Sequence, residues 1–210
     1  MASGHMLQTL QELSRQRSPG PSPAFTHIHV GQAILIIGDE AQIGRIELSR
    51  RLGIGEGATR TVIKHLTQAN VIAITKDGCV LTKRGKLFYD SMKSRIAGLA
   101  YVDARQLALD KENAAVLIRG SGRLVKRGIE QRDAAIRAGA TGACTLIFRG
   151  REFLMPLSED QEWTLGPDQP LYQDLISLVP RNNDVVVISS ARNKVLAEQG
   201  AMAAALTLVP

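Results

Sequence analysis

The chain has 210 residues, 44% hydrophobic, 22% charged and 4% aromatic, with a formal net charge of +6, a composition that excludes disordered, collagen-like and disulfide-scaffold classes. Apolar stretches such as Ala33 to Ile37 are far short of the roughly 18 residues of a bilayer span, and Cys79 and Cys144 stand too far apart to begin a zinc site. Charge is unevenly placed: residues 1–98 carry 13 Lys and Arg against 7 Asp and Glu, whereas residues 99–210 carry 13 of each, so the whole +6 lies in the first half.

Met1–Met6 (MASGHM) reads as a cloning-vector remnant, without a secretory signal, so a cytoplasmic location is expected. Both cysteines then read as small buried hydrophobes. Leu7, Leu10 and Leu13 give Leu7 to Arg17 the spacing of a short amphipathic helix, either a frayed tail or a helix that packs on a partner subunit. Pro19, Pro21 and Pro23 make a stiff spacer, so residues 1–24 stand apart from the first domain, 25–98.

Within that domain Thr26 to Gly38 reads as a helix, Ile46 to Leu52 as a second, and Glu56 to Asn70 as a third after the Gly53-Ile54-Gly55 turn. Val71 to Thr75 and Cys79 to Leu81 read as strands joined by Lys76-Asp77-Gly78, a hairpin signal. Thr82 then caps a helix from Lys83 to about Ile96. Helix, helix, tight turn, helix, hairpin, helix is the winged helix-turn-helix order.

The third helix places Ala58, Val62, Leu66 and Ala69 on one side. Its other side presents Arg60, Lys64, Thr67 and Gln68, with Gly57 and Thr61 beside them, none of them acidic. Such a face suits the major groove, where Arg and Lys read guanine and Gln reads adenine. Arg60, Thr61, Lys64 and Gln68 are the candidate base contacts; Lys76, Lys83, Arg84 and Lys86 are the candidate phosphate contacts. A solvated basic face on a protein-contact module is the bland alternative. Phe88, Met92, Ile96 and Leu99 form a stripe that would pack on its own domain or on a two-fold mate.

Residues 99–210 read as a second domain: strand Ala114 to Arg119, a helix from Gly122 to Ala138, strands Ala143 to Phe148 and Glu152 to Met155, helix Leu171 to Leu178, strand Asp184 to Ser189, and a closing Ala-rich helix Asn193 to Leu206, with one more strand at Tyr101 to Leu107. This is an α/β sandwich, with a ferredoxin-like arrangement as one candidate; the whole chain is of the α+β class. Gly120-Ser121-Gly122 and Ser189-Ser190-Ala191-Arg192 follow buried strands and precede helices, so if those strands are parallel and adjacent, one edge would gather Arg119, Gly120, Ser121, Gly122, Ser189, Ser190 and Arg192 around an anionic small molecule. Simple helix capping is the commoner role of such serines. Arg132 falls amid the apolar face set by Val125, Ile129 and Ile136. It would pair with Glu130 or Asp133, or line a ligand or subunit interface together with Asp133.

No catalytic set is present. His27 and His29, two apart on a helix, face different directions and cannot share a metal, and His65 sits at the edge of the third helix. No metal or cofactor is implied.

Gly44-Arg45, the run Leu52-Gly53-Ile54-Gly55-Glu56-Gly57-Ala58-Thr59-Arg60-Thr61, and Leu81-Thr82-Lys83-Arg84-Gly85 resemble archaeal winged-helix regulators. Gly128-Ile129-Glu130-Gln131-Arg132-Asp133-Ala134-Ala135-Ile136, with Glu198-Gln199-Gly200-Ala201, is similar to an archaeal domain family of unknown function. That family joins such a domain to a winged helix and is described as a candidate transcriptional regulator. The winged helix of archaeal riboflavin kinase-regulators is similar too, but the second half lacks that kinase's glycine-punctuated strands, so its activity is not implied. The resemblance implies architecture rather than chemistry. A homodimeric regulator of double-stranded DNA is expected, its second domain sensing an anionic ligand or dimerising; a protein adaptor and a small-molecule enzyme are the alternatives.

Overall fold

The computed structural model describes residues 5–15, 23–107, 110–158 and 161–209. Pro19 and Pro21 of the spacer, and the first four residues, lie outside them. The chain divides into two units, Met1–Lys93 and Ser94–Pro210, so the division falls after Lys93 rather than Gly98.

The first unit runs α1 (His5–Ser14), α2 (His27–Asp39), α3 (Arg45–Leu52), α4 (Glu56–Gln68), β1 (Ile72–Thr75), β2 (Gly78–Leu81) and α5 (Lys83–Arg95), of which Ser94 and Arg95 fall beyond the division. α1 is neither a loose tail nor a helix reserved for a partner. Met6, Leu10 and Leu13 are buried, and the helix packs on α2 and α4 of its own chain. Met6, assigned to the vector remnant from sequence, is part of that contact. Gly53, left-handed at φ 65°, ends α3, and the Ser49 hydroxyl donates to Ile54 O at 2.7 Å to hold the turn into α4. β1 and β2 pair antiparallel, with Ile43 bridged to Cys79 alongside. Gly78 makes this approach possible: at φ 142°, a Cβ there would lie 2.5 Å from the Ile43 carbonyl oxygen.

The second unit runs β3 (Ile96–Tyr101), β4 (Glu112–Ile118), α6 (Ile129–Arg137), β5 (Gly142–Arg149), β6 (Glu152–Pro156), β7 (Glu162–Leu165), α7 (Pro170–Ile176), β8 (Val185–Ala191) and α8 (Lys194–Leu206). The six strands form one antiparallel sheet in the order β3-β4-β8-β5-β6-β7. β4 and β5 both oppose β8, so they run parallel to each other with α6 as the crossover between them, a split βαβ unit. In a ferredoxin-like unit the inserted strand is the third; here it is the last, and the sheet departs from that arrangement.

One sheet face is covered by α7. Ala115, Leu117, Leu146, Phe148, Phe153, Val186 and Ile188 bury themselves there with Leu171, Tyr172 and Leu175. Alternate residues, Ala114, Val116, Ile118, Val185 and Val187, face the other way, under α6 and α8. The small residues of α8 let it lie close to the sheet: a Cβ at Gly200 would stand 2.2 Å from Ser189 Oγ.

Three expectations need correction here. The added strand, β3, ends at Tyr101 instead of beginning there, and Arg105–Leu107 is a 3-10 turn. The stripe from Phe88 to Leu99 is not one helix face, because α5 ends at Arg95: Met92 is buried in the helix, Ile96 in β3, and Leu99 is exposed. The helix expected from Gly122 starts only at Ile129, after a 3-10 turn over Gly122–Leu124 and a left-handed Gly128. Among the described residues no helix is long and apolar enough to cross a membrane.

Candidate nucleic-acid interface

α4 presents two chemically distinct sides. Thr59, Val62, Ile63, His65 and Leu66 are buried, while Ala58 and Ala69 are only half-buried, so the inner stripe is rotated toward Thr59 and Ile63 from the one read in the sequence. His65 belongs inside rather than at an edge. Its Nδ1 lies 2.9 Å from Leu13 O and its ring meets Phe25 edge-on at 5.8 Å, which ties α4 to α1.

The outer side carries Gly57, Arg60, Lys64, Thr67 and Gln68, all exposed, with Thr61 half-buried beside them. The Thr61 hydroxyl donates to Gly57 O at 3.1 Å, which leaves its oxygen free to accept only. Among the described residues Arg60 and Lys64 enter no ion pair; the one carboxylate at the start of the helix, Glu56, faces Arg45 at 3.7 Å. Two cations therefore stand on an exposed helical face whose first-turn acid, Glu56, lies against Arg45 rather than against either of them.

The hairpin and the start of α5 continue this charge. Lys76 sits exposed in the β1–β2 turn, which is held by the Thr75 hydroxyl donating to Gly78 O at 3.0 Å and accepting from Asp77 N at 3.3 Å. Thr82 Oγ1 accepts from Gly85 N at 3.0 Å and donates to Asn70 O at 2.7 Å, so it caps α5 and pins the hairpin's end. Gly85 is required by that pinning, since a Cβ there would lie 1.9 Å from Val71 O. Lys83, Arg84 and Lys86 are exposed in the first turn of α5, which holds no acid. Cations at the positive end of a helix dipole are unfavourable alone and complementary to an arriving anion. Lys86 is committed elsewhere: its Nζ pairs with Asp90 at 2.9 Å and lies 4.7 Å from the Tyr89 ring centre.

The candidate ligand residues of the second unit are not brought together. β4 and β8 are adjacent but antiparallel, with Ile118 opposite Val185 and Glu112 opposite Ala191, so the Gly120-Ser121-Gly122 loop and Arg192 lie at opposite ends of the sheet. Ser189 and Ser190 are inside β8 and buried, with Ser190 Oγ bonded to Asn113. At the other end the anion-binding donors already hold a carboxylate. Asp184 accepts from Gly120 N at 2.8 Å, from Arg181 N at 2.7 Å and from Arg119 Nη1 at 2.6 Å, while Ser121 Oγ donates to Arg119 O at 3.1 Å and Leu208 O at 3.0 Å, and Gly122 N donates to Asn183 O at 2.9 Å.

Arg132 is exposed rather than aimed at the sheet, and pairs with Asp133 at 3.0 Å. The inner face of α6 is Gln131 and Ala135, with Gln131 Nε2 donating to Thr207 Oγ1 at 2.8 Å, so Ile129 and Ile136 are left outside. Cys79 is buried and Cys144 half-buried, and burial raises the pKa of both thiols. His27 and His29 stand at the start of α2, and no group of three or more acid, His or Cys side chains among the described residues could hold a metal.

Comparison with known proteins divides the chain in the same way. Residues 33–87 match a family described as "PH0730-like, N-terminal domain", and residues 109–208 match "Domain of unknown function (DUF4443)". No curated protein shows significant similarity. Among solved structures, the chain is similar to "Hypothetical protein PH0730 from Pyrococcus horikoshii OT3", with 26% identity over 88% of this chain and 92% of that one, at a TM-score of 0.71.

Proposed function

We propose that the first unit is a winged helix-turn-helix that binds double-stranded DNA and that the protein acts as a transcription regulator. In this reading α4 enters the major groove, Arg60, Lys64 and Gln68 meet base edges, and Lys76, Lys83 and Arg84 meet phosphates. The observation that carries it is the exposed face of α4, where Arg60 and Lys64 enter no ion pair among the described residues and the acid of the first turn, Glu56, faces Arg45 instead. A basic face used on protein would serve an adaptor equally well in charge, but the flanking hairpin cation and the cations at the start of α5 suit the repeating phosphates of a duplex.

The test is binding of fluorescent duplexes, from the protein's own upstream region and of random sequence, across a salt series. Tight, sequence-dependent binding with a steep salt slope supports the reading. Weak binding indifferent to salt overturns it and leaves α4 as a solvated face. Arg60→Ala is expected to lose about 1–3 kcal/mol on the preferred duplex and little on the random one.

A further inference from the structure

The outer face of α6 carries apolar surface that nothing in its own unit covers. Ile129 and Ile136 are 41% and 46% exposed, and Leu124, in the turn leading to the helix, is 48% exposed. At about 100° per residue the two isoleucines fall within roughly 20° of each other and form a single column two turns long. Arg132 flanks that column on one side by about 60° and Asp133 on the other by about 40°. The stripe is thus two isoleucines between one cation and one anion, both more than a third exposed.

We infer that this stripe is the contact between two copies of the chain, with the α6 helices side by side and parallel about a two-fold axis. The charge order selects both occupant and direction. An acidic partner would meet Asp133 and a basic one would meet Arg132, whereas a second copy related by a parallel two-fold sets Arg132 against Asp133 of the partner subunit on both flanks. An antiparallel pair would instead place Arg132 beside the partner's Arg132. In the parallel pair Ile129 and Ile136 each stack on their own counterparts, and the Arg132–Asp133 pair within each helix is exchanged for one across the interface, two for two. Burying the isoleucines supplies the attraction, and the charges set the register. The inference concerns assembly and stands whether or not the first unit binds DNA.

The experiment is sedimentation equilibrium of the full chain over a concentration series. The expected mass is twice that of one chain. Ile136→Asp is expected to give the single-chain mass throughout. Arg132→Asp and Asp133→Arg, each alone, should raise the dimer dissociation constant by about tenfold or more, because two attractions become two repulsions. The doubly reversed variant, Arg132→Asp with Asp133→Arg, should restore the dimer. All these side chains are exposed, and unchanged far-UV circular dichroism verifies that each variant is folded. A chain that is single at every concentration overturns the inference; so does a dimer insensitive to Ile136→Asp, or a double reversal that stays dissociated.

Discussion

Arg119 and Asp184 form a 2.6 Å ion pair at the first positions beyond the Ile118–Val185 register pair of β4 and β8. The carboxylate is 4% exposed and also takes the Gly120 and Arg181 backbone N–H groups, so it closes the sheet end at which a loop of free donors would otherwise stand. Arg119 is additionally held by Val179 O at 2.9 Å.

Asp184→Asn is therefore expected to destabilise the second unit by about 2–4 kcal/mol, since the amide places a donor against Arg119 or Arg181 N and removes the buried negative charge. Arg119→Met should be milder, because the carboxylate keeps its two backbone donors. Urea denaturation of both variants measures this. The reverse order of stability would show that the ion pair outweighs the backbone bonds.

The close seating of α8 predicts a coupled pair of substitutions. A Cβ at Gly200 would lie 2.2 Å from Ser189 Oγ and 2.7 Å from Ala140 Cβ. Gly200→Ala should cost about 1–3 kcal/mol through overpacking. Ser189 Oγ is buried without a hydrogen-bond partner among the described residues, so Ser189→Ala alone should be neutral or slightly stabilising. In the double variant the residual contact at Ser189 is with its Cβ, 3.3 Å from the added methyl, so part of the loss should be recovered. A double-mutant cycle in thermal or urea unfolding reads that coupling; strict additivity would show that α8 shifts rather than clashes.

These features mark where the sequence was legible and where it was not. The hairpin at Asp77-Gly78, the cap at Thr82 and the exposed cations of α4 follow from local chemistry, which composition and spacing carry directly. Strand direction does not: Ala114 to Arg119 and Asp184 to Ser189 are both continuous apolar runs, and such a run has the same composition whichever way it points. That is why two loops imagined on one edge fall at opposite ends. The inner face of α6 is hidden in the sequence for a different reason. Isoleucines seven apart outrank alanines as a core signal, yet the alanine side faces α8, whose small residues allow a close approach and leave no room for larger side chains. The inner place of His65 is not legible locally because its partner, Leu13 O, is a backbone atom 52 positions away.

The start of α2 predicts a pH response. Thr26 caps the helix, and its N–H donates to His29 Nδ1 at 3.0 Å, so that nitrogen must be unprotonated. Burial, and then His27 nearby, hold the His29 pKa below its ordinary 6.5. A lowered folded-state pKa means that protonation is easier in the unfolded chain, so the stabilisation is full above pH 6.5 and declines as the pH falls below it. Melting temperatures between pH 7.5 and about 5 should fall more for the parent protein than for His29→Gln, whose amide oxygen can keep the reciprocal cap. Equal slopes for the two proteins would remove His29 from the acid response.

The basic surface of the first unit makes a graded prediction on DNA. Each neutralised phosphate contributes about −0.9 to the log–log salt slope on duplex. Lys76, Lys83 and Arg84 are exposed and enter no ion pair among the described residues, so replacing any one with Ala should make the slope shallower by about that amount. Lys86 differs because Asp90 already holds its ammonium at 2.9 Å, and a phosphate contact would have to displace that carboxylate. Lys86→Ala should therefore change the slope by clearly less than Lys83→Ala, although the two lysines sit in the same turn of α5. Asp90→Asn should raise affinity slightly by freeing Lys86. Fluorescence-anisotropy titrations of the four alanine variants and Asp90→Asn at several salt concentrations measure this order. An equal change for all four lysine and arginine variants would mean that the Lys86–Asp90 pair opens freely on DNA, and no change for any would place the duplex away from the hairpin and α5.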